Sequence, residues 1–239
     1  MSEQIKPFSS LLPKEPQVRR MFDDIAWRYD LLNRILSLRK DIYWRRVLVN
    51  EVLHLRPTCL LDVATGTGDL AWAFARACVP EVVGIDISKK MLEKACARFV
   101  KGVKPPQFVE GSAMALPFKD DSFDVVTAAF GVRNFENIAL GLREMHRVTR
   151  PGGSLFVLEF SRPASPLWRK VIDIYNRFVV PGLGACLARN YEAYKYLYES
   201  VAAFPSGAAF CRILEDNGWR EVILRPLSHG VVTLYRAIK

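Results

Sequence analysis

Hydrophobic positions recur at helical spacing early in the chain and at strand spacing only later. Val18, Phe22, Ile25, Tyr29 and Leu32 share one stripe, which predicts an amphipathic helix over residues 17–36. A second helical stretch, 42–55, carries Trp44, Val47, Leu48 and Val52 and stops before Pro57. From residue 59, short apolar runs alternate with helical patterns. Strands are predicted at 59–64, 81–86, 107–110, 123–129 and 154–160, and helices at 69–78, 88–101 and 137–149. That alternation predicts an α/β fold with a mostly parallel sheet. Residues 161–204 carry few strand signals and many aromatics, among them Trp168, Tyr175, Phe178, Tyr196 and Tyr198. They read as helices broken near Pro181-Gly182 and Gly184. A helix over 206–217 stops at Gly218, and strands at 220–225 and 231–237 form an antiparallel pair at a sheet edge.

The first strand runs into Asp62-Val63-Ala64-Thr65-Gly66-Thr67-Gly68-Asp69-Leu70. Strand, glycine turn and helix together form a nucleotide-gripping element. Gly66 and Gly68 let backbone approach a ligand, and the new helix points free N–H groups at it. Gly66-x-Gly68-x-x-Ala71 also fits a dinucleotide fingerprint. A helical segment ahead of the first strand leans against a dehydrogenase.

Composition narrows the class. The 239 residues are half hydrophobic and a quarter charged, as expected for a soluble globular chain. No apolar run is long enough for a membrane span, and the start lacks a secretion signal. The five cysteines show no CxxC pairing, so reduced, buried thiols in a cytoplasmic protein are expected. Net charge is +9, unevenly placed. Residues 1–56 hold 11 Lys/Arg against 7 Asp/Glu, residues 57–160 hold 12 against 12, and residues 161–239 hold 11 against 6. Basic flanks suit an anionic membrane surface or nucleic acid, or serve solubility alone.

Several residues stand where chemistry is expected. Asp86 ends the second strand 18 positions after Gly68, the place of an acid that accepts from ribose hydroxyls. Ser112 and Ala113 follow the third strand, where a hydroxyl or an amide can meet a purine. Phe130-Gly131-Val132-Arg133-Asn134 follows the fourth. There Arg133 and Asn134 can orient an oxygen-rich ring, or Arg133 can anchor the loop on a neighbouring carboxylate. Tyr29 lies on the apolar stripe, with core packing as its default. His54, His146 and His229 have no metal-like spacing, so no metal is expected and all three read as structural or exposed.

Leu61-Asp62-x-x-x-Gly66-x-Gly68, Asp86, Phe123-Asp124-Val125-Val126 and Pro151-Gly152-Gly153 resemble the class I S-adenosylmethionine-dependent methyltransferases. The stretches Tyr29 to Trp44 and Arg147 to Ser161, with Ala129 to Asn134, look like signatures of the ubiquinone/menaquinone biosynthesis methyltransferases. The departures are mild, Asp41 standing where histidine is one choice and Ser112 where asparagine or aspartate is usual.

The resemblance implies a Rossmann-like seven-stranded sheet with an antiparallel last strand. One domain over 1–239 is expected: a helical cap (1–56), a cofactor core (57–160), a helical substrate cap (161–205) and a terminal helix and strand pair (206–239). It implies S-adenosylmethionine as methyl donor, held by Gly66, Thr67, Gly68, Asp86, Ser112 and Ala113. It implies methylation of a ring carbon of demethylmenaquinol, in some members also of a ubiquinone precursor. Arg133 would stabilise the phenolate, with a water taking the proton; Asn134 would orient the ring oxygen and Tyr29 would close the site. A prenylated substrate turns the basic flanks toward peripheral membrane association rather than nucleic acid. Membrane binding and a homo-oligomer stay open. So do rival readings: an O- or N-methyltransferase, a nucleic-acid methyltransferase, which the Phe130 loop disfavours, and a non-catalytic cofactor-binding subunit.

Overall fold

The computed structural model describes residues 5–8, 11–174 and 191–239. Strands β1 Cys59–Val63, β2 Glu81–Asp86, β3 Gln107–Glu110, β4 Phe123–Ala129, β5 Thr149–Phe160, β6 Arg220–Leu227 and β7 Val232–Ile238 form one sheet. Their order is β3-β2-β1-β4-β5-β7-β6. β1 to β5 pair in parallel, and β7 runs antiparallel to both β5 and β6. This is the expected Rossmann-like sheet. Strand order reverses between β1 and β4, which opens a crevice at their C-terminal ends.

The helices are α1 Lys14–Ile25, α2 Tyr29–Leu36, α3 Lys40–Leu53, α4 Asp69–Arg76, α5 Lys89–Ala97, α6 Ile138–Val148, α7 Pro166–Ile174, α8 Tyr191–Ala203 and α9 Ala208–Asp216. Capping sets two of the starts. Ser88 accepts from the Met91 amide before α5, and Asn137 accepts from the Leu140 amide before α6.

Alternation along the strands makes two cores. Leu61, Val63, Val126 and Leu155 face α6 and α9, packing with Met145, Phe210, Leu214 and Trp219. Leu60, Val125, Phe156 and Leu158 face the other way, toward Trp44, Leu48 and Val52 of α3 and Leu70 and Phe74 of α4. α3 is therefore a core helix of the sheet. Burying each of Leu48 and Val52 contributes about 1.5–3 kcal/mol.

Three element expectations change. The 17–36 stripe is two helices: the Arg28 and Tyr29 amides reach back only three residues, to Ile25 and Ala26, so the helical ladder breaks there. Both halves keep an apolar face toward the body, so periodicity alone does not show the corner. Strand five starts at Thr149 and passes through Pro151-Gly152-Gly153, with a register shift opposite Phe123 and Val125. In the terminal pair, β7 is inserted beside β5 and only β6 is at the edge. Val232, Leu234, Tyr235 and Ala237 of β7 are buried, whereas β6 exposes Arg220, Glu221, Arg225 and Pro226, which suit an edge.

The expected break near Pro181-Gly182 and Gly184, with Tyr175 and Phe178, lies outside the described residues. So does Cys186. The other thiols are free but not buried: Cys59 and Cys211 are half-buried, and Cys78 and Cys96 are exposed. Cys78 sits on a left-handed turn just past α4, which carries it out of the core. Among the described residues no helix is long and apolar enough to cross a membrane, and no group of His, Cys, Asp and Glu could hold a metal ion.

Candidate active site

The crevice above β1, β2 and β4 is an open cleft. Gly66, Asp86, Ile87, Met91, Gly111, Ala113, Met114, Gly131 and Asn134 line it, and α1 covers it with Glu15, Val18 and Phe22. Backbone geometry makes the floor. Gly66 is left-handed at φ +56°, and a Cβ there would meet nothing closer than the Tyr29 ring at 4.0 Å. Gly131 is forced by packing, since its Cβ would lie 2.5 Å from that of Ala64. Ala64 and Phe130 are themselves left-handed at φ +55° and +60°, a cost tolerated where two strand ends must converge.

Asp86 is held on the wall. One carboxylate oxygen accepts from the Gly66 amide at 2.8 Å and the other from the Ser88 amide at 2.9 Å. Burial pushes its pKa up to about 6 against the pull of these bonds. The Ile87 amide also helps to hold the charged form, so the carboxylate keeps room for a single further donor. Below the loop, Asp62 accepts from Thr65 (2.6 Å) and Thr127 (2.8 Å), and burial raises it likewise to about 6.

The structure divides the loop residues named from sequence. Gly66, Asp86 and Ala113 reach the cleft, and Ala113 presents an amide without an acceptor among the described residues. Thr67 does not line it. Its hydroxyl donates to Asp30 at 2.6 Å and accepts from Arg98, tying the loop to α2 and α5. Gly68 is packed underneath, where a Cβ would sit 2.9 Å from Phe108. The Ser112 hydroxyl donates to Glu15 at 2.6 Å and accepts from the Met114 amide, which clamps α1 over the cleft.

Beyond the cleft the Phe130 loop folds into a single 3-10 turn over Val132–Asn134. Arg133 is buried. Its NH1 donates to the Phe130 carbonyl and to Glu159 at 2.9 Å, while its backbone amide reaches the same carboxylate at 3.3 Å. Glu159 is 0% exposed. The anchoring reading of Arg133 is thus realised, yet its Nε–H is buried without an acceptor among the described residues. Asn134 donates to the Phe130 carbonyl at 3.5 Å and accepts from Tyr196 of α8 at 3.1 Å. From the opposite side Lys14 donates to the Arg133 and Phe135 carbonyls, and burial lowers its pKa to about 8.

A second, larger cavity opens past this turn. Trp44, Phe130, Phe160, Trp168, Leu197 and Val201 give it an apolar wall, and Arg133 borders it. Tyr29 and Phe130 line both spaces, so Tyr29 stands at their junction. Burial pushes the Tyr29 phenol up, more than the nearby Arg133 charge pulls it down. Leu38, Lys40, Trp168, Tyr198 and His229 line the cavity while staying exposed, so they form its mouth. His229, assigned no active-site role from sequence, stacks on Trp168 at 4.1 Å between ring centres.

Residues 11–239 match the ubiE/COQ5 methyltransferase family. The chain belongs to that family. It is 41% identical over 241 residues to the demethylmenaquinone methyltransferase of Porphyromonas gingivalis, covering 99% of this chain and 98% of the relative. The enzyme of the same name from Deinococcus radiodurans is 43% identical over 235 residues, covering 98% and 97%. Among solved structures, a SAM-dependent methyltransferase from Thermotoga maritima superposes with a TM-score of 0.64 at 19% identity, over 92% of this chain and 99% of that one. The [4+2]-cyclase SpnF gives 0.59 at 20% identity, over 95% and 97%. These two establish the fold alone, and the second shows that the fold does not dictate the reaction.

Glu159 escaped sequence reasoning as a site residue, though a signal existed. A carboxylate ending the apolar run Leu155 to Leu158 has to be paired.

Proposed function

We propose that this chain is an S-adenosylmethionine-dependent C-methyltransferase that converts demethylmenaquinol to menaquinol. The observation that carries the reading is the juxtaposition at Tyr29: a cleft at the strand ends meets a large apolar cavity with an exposed aromatic mouth. The near full-length relatives named demethylmenaquinone methyltransferase support it.

The cleft fits the donor by its own chemistry. The Asp86 carboxylate would accept from a ribose hydroxyl, the Ala113 amide would address the purine, and Val18, Ile87 and Met91 would supply apolar cover. The open face of Gly66 leaves room for the tail. When bound, the donor supplies a methyl group already activated on a sulfonium sulfur. The chain has to align a ring carbon with it and make that carbon nucleophilic. A ring phenolate does so by feeding charge into the ring. Arg133, which borders the cavity and is held by Glu159, would stabilise that oxygen with its positive charge. Asn134 orients it, and Tyr29 closes the passage between the two spaces.

The prenyl tail follows the apolar wall to the mouth. There Leu38 and Trp168, with Leu167 beside them, are exposed next to Arg39, Lys40, Arg169 and Lys170. That mixture suits peripheral contact with an anionic bilayer. The test is purified protein with labelled methyl donor and reduced demethylmenaquinone. A product heavier by one ring methyl is expected, and no transfer would overturn the reading. The same assay on a ubiquinone precursor decides whether both rings are accepted. Co-sedimentation with anionic vesicles at low salt checks the membrane contact, and no binding would refute it.

A further inference from the structure

The wall of the large cavity carries a second ionic pair that the proposed chemistry does not use. Asp41 of α3 is buried, an uncommon place for a carboxylate beside apolar space. It accepts from Ser37 Oγ at 2.7 Å and from Arg45 Nη1 at 2.7 Å. The same guanidinium nitrogen lies 3.9 Å from an Asp69 carboxylate oxygen of α4, and among the described residues Arg45 makes no other hydrogen bond, so its remaining N–H groups are left for a ligand.

The placement mirrors that of Arg133. The Arg45 guanidinium carbon lies 5.5 Å from the Phe130 ring centre, and that of Arg133 lies 5.5 Å from the Phe160 ring centre. The two rings are 4.9 Å apart. Each of these two adjoining rings therefore carries one arginine–carboxylate pair, Arg45 with Asp41 and Arg133 with Glu159. All but Glu159 line the cavity.

We infer that Arg45 and Asp41 form a second oxygen-binding point, which holds the ring hydroxyl para to the one addressed by Arg133. This rests on the quinol reading above. A 1,4-diol carries oxygens at opposite ends of one ring, so one charged pair cannot serve both. The para hydroxyl has to donate and accept; Asp41 accepts its O–H hydrogen bond and Arg45 donates N–H groups to its oxygen. Without that hydroxyl the spare N–H groups of Arg45 have no acceptor on the ring and face apolar surface instead, which disfavours analogues that lack it. The pair thus selects rings with two para oxygens. It touches no reacting atom and is a specificity element.

A short-chain prenylated naphthalene-1,4-diol, and its analogue lacking the hydroxyl beside the prenyl-bearing carbon, test this in wild type, Arg45→Gln and Asp41→Asn. The wild type is expected to favour the diol, and each variant to narrow the ratio of kcat/KM values about tenfold. The intrinsic reactivity difference of the two rings cancels when ratios are compared. Calorimetric affinity for S-adenosylmethionine should stay unchanged, since the pair lies outside that cleft. Variants that keep the wild-type ratio would overturn the inference, even if their melting temperatures fall, because that is what a purely structural pair predicts. Should both fail to fold, Ser37→Ala loosens Asp41 without deleting a charge. It should narrow the ratio a few-fold, and an unchanged ratio there is equally fatal. A wild type that methylates neither ring would instead sink the proposed function.

Discussion

The strand-end cleft and the large cavity meet at Tyr29 and Phe130 but are built in opposite ways. The cleft is made by backbone: adjacent parallel strands, two left-handed turns at Gly66 and Phe130, and amides locked onto Asp86. The cavity is made by side chains from α2, α3, α7, α8 and the Ser228–Gly230 turn, segments distant in sequence. A backbone site is rigid and tolerates few sequences. A side-chain cavity can be re-lined while the sheet stays, which is why one fold serves many acceptors.

The largest effect should come from the boundary. Deleting Arg133 alone would strand the wholly buried Glu159, at a stability cost of about 3–5 kcal/mol. The double change Arg133→Met with Glu159→Gln removes both charges and separates chemistry from folding. Turnover should fall at least about 100-fold, with calorimetric affinity for the donor unchanged. Wild-type turnover in a folded double variant would show that the boundary is only a strut.

Next comes Asp86. Its carboxyl has a folded pKa raised to about 6, above the unfolded range, so the fold binds the proton more tightly than the open chain. Its contribution to stability is full below the unfolded value, near pH 4, and is lost as pH rises toward 6. Donor binding runs the other way, because the ribose hydroxyls need the ionised form. Affinity should weaken about tenfold between pH 7 and pH 5 in the wild type. In Asp86→Asn it should be about tenfold or more weaker at pH 7 and lose most of that slope. A slope that persists belongs to Asp62, which titrates in the same range beneath the loop.

Gly131→Ala is a purely geometric probe of the cleft. Its Cβ would press on that of Ala64, so a stability loss of about 1–3 kcal/mol is expected by thermal unfolding, with weaker donor binding. No change in either would mean that the two strand ends yield more than the packing implies.

How much of each region the sequence revealed follows from the same contrast. The first four strand starts, Gly66, Asp86 and Ala113 are legible because period-two patterns and turn chemistry are local, whereas the start of strand five is hidden behind Pro151-Gly152-Gly153. Thr67 and Ser112 sit in the expected loop but turn away, toward Asp30 and Glu15, partners 37 and 97 residues off. Direction of a side chain is a tertiary property. Glu159, Arg45 and His229 gain meaning only once α3, β5 and the Ser228–Gly230 turn are brought together. The break at Ala26–Arg28 has no Pro or Gly to announce it, and it is what brings Tyr29 to the junction.

The smallest effect should appear at the cavity mouth. Trp168 is 37% exposed and Tyr198 47%, so each gives the fold only part of its burial and keeps an apolar face at the entrance. Trp168→Ala also removes the ring stacked on His229. If the mouth guides the prenyl chain, KM for a long-chain quinol should rise about three- to tenfold while kcat holds, since the reacting ring is bound elsewhere. A substrate with one prenyl unit does not reach the mouth and should keep its wild-type KM. Equal rises for both chain lengths would mean that the change propagates inward to the ring site, and the division between a rigid donor cleft and a re-linable acceptor cavity would then fail at its outer edge.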